Sequence, residues 1–127
     1  GLTPEISVLA CGDARIAVLN RDFRDKPVAT NVLSWPSVER GATQDGDLPE
    51  ALDAADDPEI GDIAISLQTC LREAEEMNKP VEHHVLHLVV HAILHLLGYD
   101  HERDKDAALM EHTETEILAS LGVPDPY

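Results

Sequence analysis

Three histidines, His91, His95 and His101, stand in the segment HAILHLLGYDH, spaced His-x3-His-x5-His with Gly98 between the second and third. Two histidines four residues apart on a helix share one face, with Cβ atoms about 5–6 Å apart, so both imidazoles can converge on one ion. Gly98, lacking a Cβ, can take the left-handed conformation that ends a helix, which lets His101 return to the same point from a loop. Three nitrogen ligands leave the fourth tetrahedral position open, the mark of a catalytic rather than a structural zinc site. Zn2+ is the expected ion, and an all-imidazole set also suits nickel, copper or cobalt. Core hydrogen bonds to helix-face histidines would explain one or two of the three, but not the full spacing.

The spacing is similar to that of the metzincin peptidases, H-E-x-x-H-x-x-G-x-x-H, in which the Glu after the first His is the general base. Ala92 holds that position here. The site can bind a metal and polarise water, but it lacks the helix-borne carboxylate of peptide hydrolysis.

Around the triad, His84 and His87 extend a polar stripe along the same helix; they read as surface or supporting groups, although either could reach a substrate. Asp100 reads equally as a carboxylate that orients a ligand imidazole and as a turn residue. Arg24 falls between a helix and a strand, in a loop with Asp22 and Asp25 nearby. A surface ion pair with one of those acids is the favoured reading, and a bidentate phosphate clamp is the alternative.

The elements that must position these residues are legible as a series. ISVLA, Ile6 to Ala10, reads as a strand, followed by a short helix from Asp13 as N-cap to Asn20. Pro27 breaks the chain, and VATNVLSW reads as a second strand stopped by Pro36. Residues 37–58, rich in Gly, Pro and acids without periodicity, read as a long exposed loop with mobility. IGDIAIS is a strand ending at Ser66, an N-cap for a helix with Leu67, Cys70, Leu71, Ala74 and Met77 on one side. Pro80 opens the helix VEHHVLHLVVHAILHLLG, apolar around most of its circumference and therefore central. A last helix starts near Asp104, carries Ala108, Met110, Ile117, Leu118 and Leu121, and ends at Gly122 and Pro124. Strands mostly first and helices last indicate an α+β domain, a small sheet packed against helices.

At 127 residues the chain is one domain, able to bury roughly two-thirds of its unfolded surface without cross-links. Cys11 and Cys70 read as small thiols in a reducing compartment and receive no role. The N-terminus lacks signal-peptide features and no apolar run spans a bilayer, so a soluble, cytoplasmic protein without a membrane partner is expected. The net charge is −16, and it is uneven: residues 1–40 hold five acids and five bases, residues 41–127 hold 20 acids and four bases. That balance argues against nucleic acid in general, and any RNA contact would use the front part, where Arg15, Arg21, Arg24 and Lys26 lie.

Four segments resemble the bacterial YbeY family of rRNA maturation factors. HAILHLLGYDH follows the family's H-G-x-L-H-L-x-G-Y-D-H, with Ala92 for Gly, and LNRDFR…TNVLSWP, IGDIAI and MEHTETEILASLG are also similar. The resemblance runs from Ile6 to Tyr127 and implies a mixed sheet with a central metal-binding helix, like that of zinc-dependent hydrolases. It also implies that the family's strand and helix preceding ISVLA are lacking. The activity implied is that of a zinc-dependent, single-strand-selective endoribonuclease in rRNA maturation and ribosome quality control, without action on DNA. His91, His95 and His101 correspond to the metal ligands. Arg24 corresponds to the family's functional arginine, which reverses its ion-pair reading. A small-subunit ribosomal protein and a ribosome-assembly GTPase are the implied partners, near Asp62. A ribosome-assembly factor with a mainly structural metal is the alternative function, and a zinc peptidase is disfavoured by Ala92.

Overall fold

The computed structural model describes residues 5–50 and 59–127, arranged as β1 (Glu5–Cys11), α1 (Asp13–Arg24), β2 (Val32–Pro36), β3 (Glu59–Ser66), α2 (Leu67–Glu76), α3 (Val81–Leu96) and α4 (Asp104–Ser120). The sheet order is β1-β3-β2, with β1 parallel and β2 antiparallel to β3. The fold is thus α+β with a small mixed sheet, as expected. Among the described residues no helix is long and apolar enough to cross a membrane.

β3 is central and covered on both faces, which is why IGDIAIS reads as an almost continuous apolar run rather than a strict alternation. Ala64 joins Ile16 of α1 and Leu33 of β2 on one face. Ile63 and Ile65 point the other way, toward Ala92, Leu96 and Leu88 of α3. Gly61, with φ 152°, is the point of closest approach: a Cβ there would lie 2.3 Å from the Trp35 carbonyl oxygen and 2.6 Å from Leu96 Cδ2. Absence of a side chain lets β2 and α3 close onto β3 together.

Several expected boundaries shift. α1 is N-capped by Gly12, not Asp13, and runs on to Arg24, where Asp25 in the left-handed conformation ends it. Arg24 therefore sits in the last helical turn rather than in a loop. The Asp13 carboxylate is instead taken by the Ser66 and Thr69 hydroxyls, each at 2.6 Å, and by Arg72. β2 begins at Val32, later than VATNVLSW suggests. Of the five residues expected on one side of α2, Cys70 and Ala74 are buried while Leu67, Leu71 and Met77 are exposed.

The expected long loop keeps no regular structure over its described part, but long-range contacts hold it. Arg40 is 4% exposed and its guanidinium donates to the Leu96 carbonyl, 3.0 Å away. Arg103 donates to the Ala42 and Thr43 carbonyls at 2.8 and 2.9 Å. Gly46 N–H donates to Asp106 and Asp106 N–H to Asp45, both at 2.8 Å. These bonds fasten the loop to both ends of the segment that carries the third histidine. Residues 51–58 of the expected loop lie outside the described residues.

Candidate metal centre and its cavity

α3 places His91 and His95 one turn apart, their Nε2 atoms 3.1 Å from each other. The helix stops at Leu96, and Gly98 adopts φ 105°. A Cβ on Gly98 would meet the Arg40 carbonyl oxygen at 2.5 Å, so both the left-handed turn and the neighbouring backbone require glycine. Beyond that turn, the His101 ring stacks on His91 with centroids 5.4 Å apart and lies 5.0 Å from His95. One ring nitrogen from each histidine falls within a common span of 4.8 Å.

Hydrogen bonding settles which nitrogens face inward. His95 Nδ1 lies 3.0 Å from the Tyr99 carbonyl oxygen, which can only accept, so Nδ1 carries the hydrogen. His91 Nδ1 lies 2.9 Å from Glu114 Oε2. Burial alone would push the Glu114 carboxyl up, but hydrogen bonds from His87, His91 and Tyr127 outweigh it and hold it down at about 2. An ionised carboxylate also only accepts. With both Nδ1 atoms carrying the hydrogen, the two Nε2 lone pairs face each other, an arrangement that a shared cation would stabilise. Two nitrogens about 2.0–2.1 Å from a tetrahedral zinc would be separated by roughly 3.3 Å, so the donor set fits such an ion. The His95 imidazole is held below the usual histidine range by burial first, and then by His91 and His101, which keeps it neutral and ready to coordinate.

Glu114 is the residue that sequence reasoning missed. It is fully buried on α4, its second oxygen meeting His87 Nε2 and accepting from the Tyr127 hydroxyl at 2.8 Å. The available signal was its position four residues from both Met110 and Leu118, the buried apolar stripe of the last helix. His87 is thereby joined to the carboxylate that orients His91, whereas His84 is bound to Glu73 at 3.0 Å, away from the triad. Asp100 takes its turn role: its carboxylate accepts from the His101 backbone N–H at 2.7 Å.

Glu114→Gln should weaken metal binding by roughly 10–100-fold, the usual cost of disturbing a partner of a ligand histidine. The amide is neutral and can donate as well as accept, so it no longer dictates which His91 nitrogen carries the hydrogen. Competition against a chromophoric chelator measures this, and parental affinity in the variant would reduce Glu114 to a packing role.

The triad opens on a cavity of about 730 Å3. Its wall includes Arg24, Ser34 and Pro36 from the α1 and β2 side, Asp47 and Pro49 from the loop, and His87 and Tyr127. Arg24, 67 positions or more from the three histidines in sequence, thus shares their cavity. It forms no ion pair among the described residues; the neighbouring acid Asp22 pairs with Arg21 at 3.2 Å. The favoured ion-pair reading of Arg24 from sequence alone does not hold.

A family model described as Endoribonuclease YbeY matches residues 2–122. The chain belongs to the YbeY family. It is 57% identical over 122 residues to the Endoribonuclease YbeY of Jannaschia sp. strain CCS1, covering 96% of this chain and 75% of that protein. The protein of the same description from Cereibacter sphaeroides is 59% identical over 124 residues, 94% of this chain and 74% of its own. The solution structure of TM1509 from Thermotoga maritima is similar with a TM-score of 0.63 and 27% identity, covering 94% of this chain and 69% of that one. The family match accords with the resemblance carried by the histidine segment.

Proposed function

We propose that the chain is a metal-dependent endoribonuclease that cuts single-stranded RNA in rRNA maturation and ribosome quality control. The observation that carries this reading is that the three histidines and Arg24 line one cavity, in a chain whose relatives are described as endoribonucleases. In this reading His91, His95 and His101 hold a divalent ion, zinc by preference. The ion supplies Lewis acidity, polarising a phosphoryl oxygen and lowering the pKa of water from about 15.7 toward 7. Glu114 and the Tyr99 carbonyl keep two of the ligand imidazoles aimed. Arg24 takes the non-bridging oxygens in a two-pronged grip and stabilises the charge that grows on them. Peptide hydrolysis is disfavoured because Ala92 offers no base and the buried Glu114 carboxylate is already engaged by His87, His91 and Tyr127.

A ribosome-assembly factor with a mainly structural metal is the second reading, and the net charge of −16 favours it mildly, since RNA is repelled by an acidic surface. The implied contact with a small-subunit ribosomal protein and an assembly GTPase would use Asp62, which is exposed on β3.

Metal-loaded and chelated protein are to be compared on single-stranded RNA, the matching duplex, single-stranded DNA and casein. Metal-dependent cutting of single-stranded RNA alone is expected, because a flexible strand can bend into the cavity where a duplex cannot. Cutting of free oligonucleotides should be slow and should fall as salt screens the few cationic contacts. The end groups on the products separate attack by water from attack by the RNA's own 2′-hydroxyl. RNA left whole in every metal form would transfer the protein to the assembly-factor reading.

A further inference from the structure

The chain has four aromatic residues besides histidine: one Phe, one Trp and two Tyr. Tyr99 packs on the Val90, Leu94 and Met110 cluster, and Tyr127 is bound to Glu114. The other two meet at the surface. Phe23, in the last turn of α1, is 63% exposed, and its ring lies 5.2 Å from that of Trp35 on β2, at 64°. Trp35 is half-buried against Ile16, Leu33 and Ala64, so the core holds it rigidly. Phe23 leaves most of its surface in water, so its burial contributes little to folding.

This pair adjoins the cavity of the triad through both of its elements. Arg24 follows Phe23 in the chain and Pro36 follows Trp35, and each of these neighbours lines the cavity wall. Arg24 and Lys26 are exposed beside Phe23 in the chain, interleaved with Asp22 and Asp25, and Trp35 stands opposite Asp62 of β3; neither cation forms an ion pair among the described residues. A fixed aromatic face beside unpaired cations is the arrangement by which proteins hold single strands, with stacking on the base and charge on the phosphate.

We propose that Phe23, supported by Trp35, stacks a base of the RNA strand whose phosphodiester lies beside Arg24 in the metal cavity. The proposal rests on the endoribonuclease reading and adds to it a subsite on the α1 side of β2. A strand leaving the histidines would cross the open edge of β2 and place the next unpaired base on the aromatic pair. A base locked in a duplex has no free face to offer, so the subsite would also contribute to single-strand selectivity.

Trp35 is the sole tryptophan, so its emission reports directly on the subsite. The full metal-loaded chain is titrated with a short single-stranded oligoadenylate at low temperature, where binding outpaces cutting. Emission should be quenched and saturate with binding. Phe23→Ala should weaken binding roughly five- to 150-fold, the range for losing one base stack. Phe23→Leu keeps an apolar cover on Trp35 but has no π-face, so it should lose nearly as much, while Phe23→Tyr should restore parental affinity. Parental binding by Phe23→Leu, or unchanged emission while RNA is bound or cut, overturns the stacking subsite alone. A parent protein that neither binds nor cuts RNA overturns the endoribonuclease reading and the subsite together.

Discussion

His95→Ala should leave the purified protein without stoichiometric metal. His95 is the middle ligand in space as well as in sequence, with Nε2 3.1 Å from that of His91 and its ring 5.0 Å from His101. Truncation leaves one imidazole of the triad on α3 and one on an exposed turn, with the donor between them gone. The loss should exceed the roughly 100-fold ceiling seen for residues that only touch a ligand. Because the ion tethers α3 to the turn bearing His101, the variant should also lose metal-linked stability. That amounts to about 4 kcal/mol when free metal stands near a thousand times its dissociation constant. Elemental analysis of the variant, with thermal unfolding before and after chelation, measures both quantities. Full metal content in the variant would refute the assignment of the triad.

Arg24→Glu should abolish RNA cutting while the protein keeps its metal and fold. Loss of one preorganised donor to a developing oxyanion costs about 10²–10³ in rate, and here the replacement also carries the repelling sign. The side chain is exposed and forms no ion pair among the described residues, so little packing goes with it. The structural cost is the exchange of a cation for an anion in the last turn of α1, on the order of 1 kcal/mol. Arg24→Lys keeps the charge without the fork and should fall between the two. Cutting at the parental rate by Arg24→Glu, in protein of normal metal content, would return Arg24 to a surface role.

Local pattern was enough to find the elements and the triad. His-x3-His lies within one helix, where a spacing of four sets a shared face, and Gly98 marks the turn through a conformation that side chains avoid. The apolar run of β3 and the nearly all-apolar α3 likewise announce central positions, because burial on every side removes the alternation that a half-exposed element shows. Boundaries were less legible: α1 outruns its expected end at Asn20 by a full turn, since the Arg21–Arg24 stretch has no breaker and is closed only by Asp25 in the left-handed conformation.

Tertiary packing decided the remainder. Glu114 is one of two glutamates in HTETE, and its spacing from Met110 and Leu118 puts it on the buried stripe without naming its partner; α4 must dock on α3 before that carboxylate meets His91 while Glu116 is left in water. Arg24 had acids on both sides in sequence, and only the packing of α1 and β2 beside α3 made it part of the wall of the cavity that the histidines line. The loop through Arg40 looked unanchored because its partners, Leu96 and Asp106, lie 56 and 60 positions away. In each case the deciding arrangement joins residues far apart in the chain, and such arrangements are specified by which surfaces pack together rather than by any periodicity a single segment can carry.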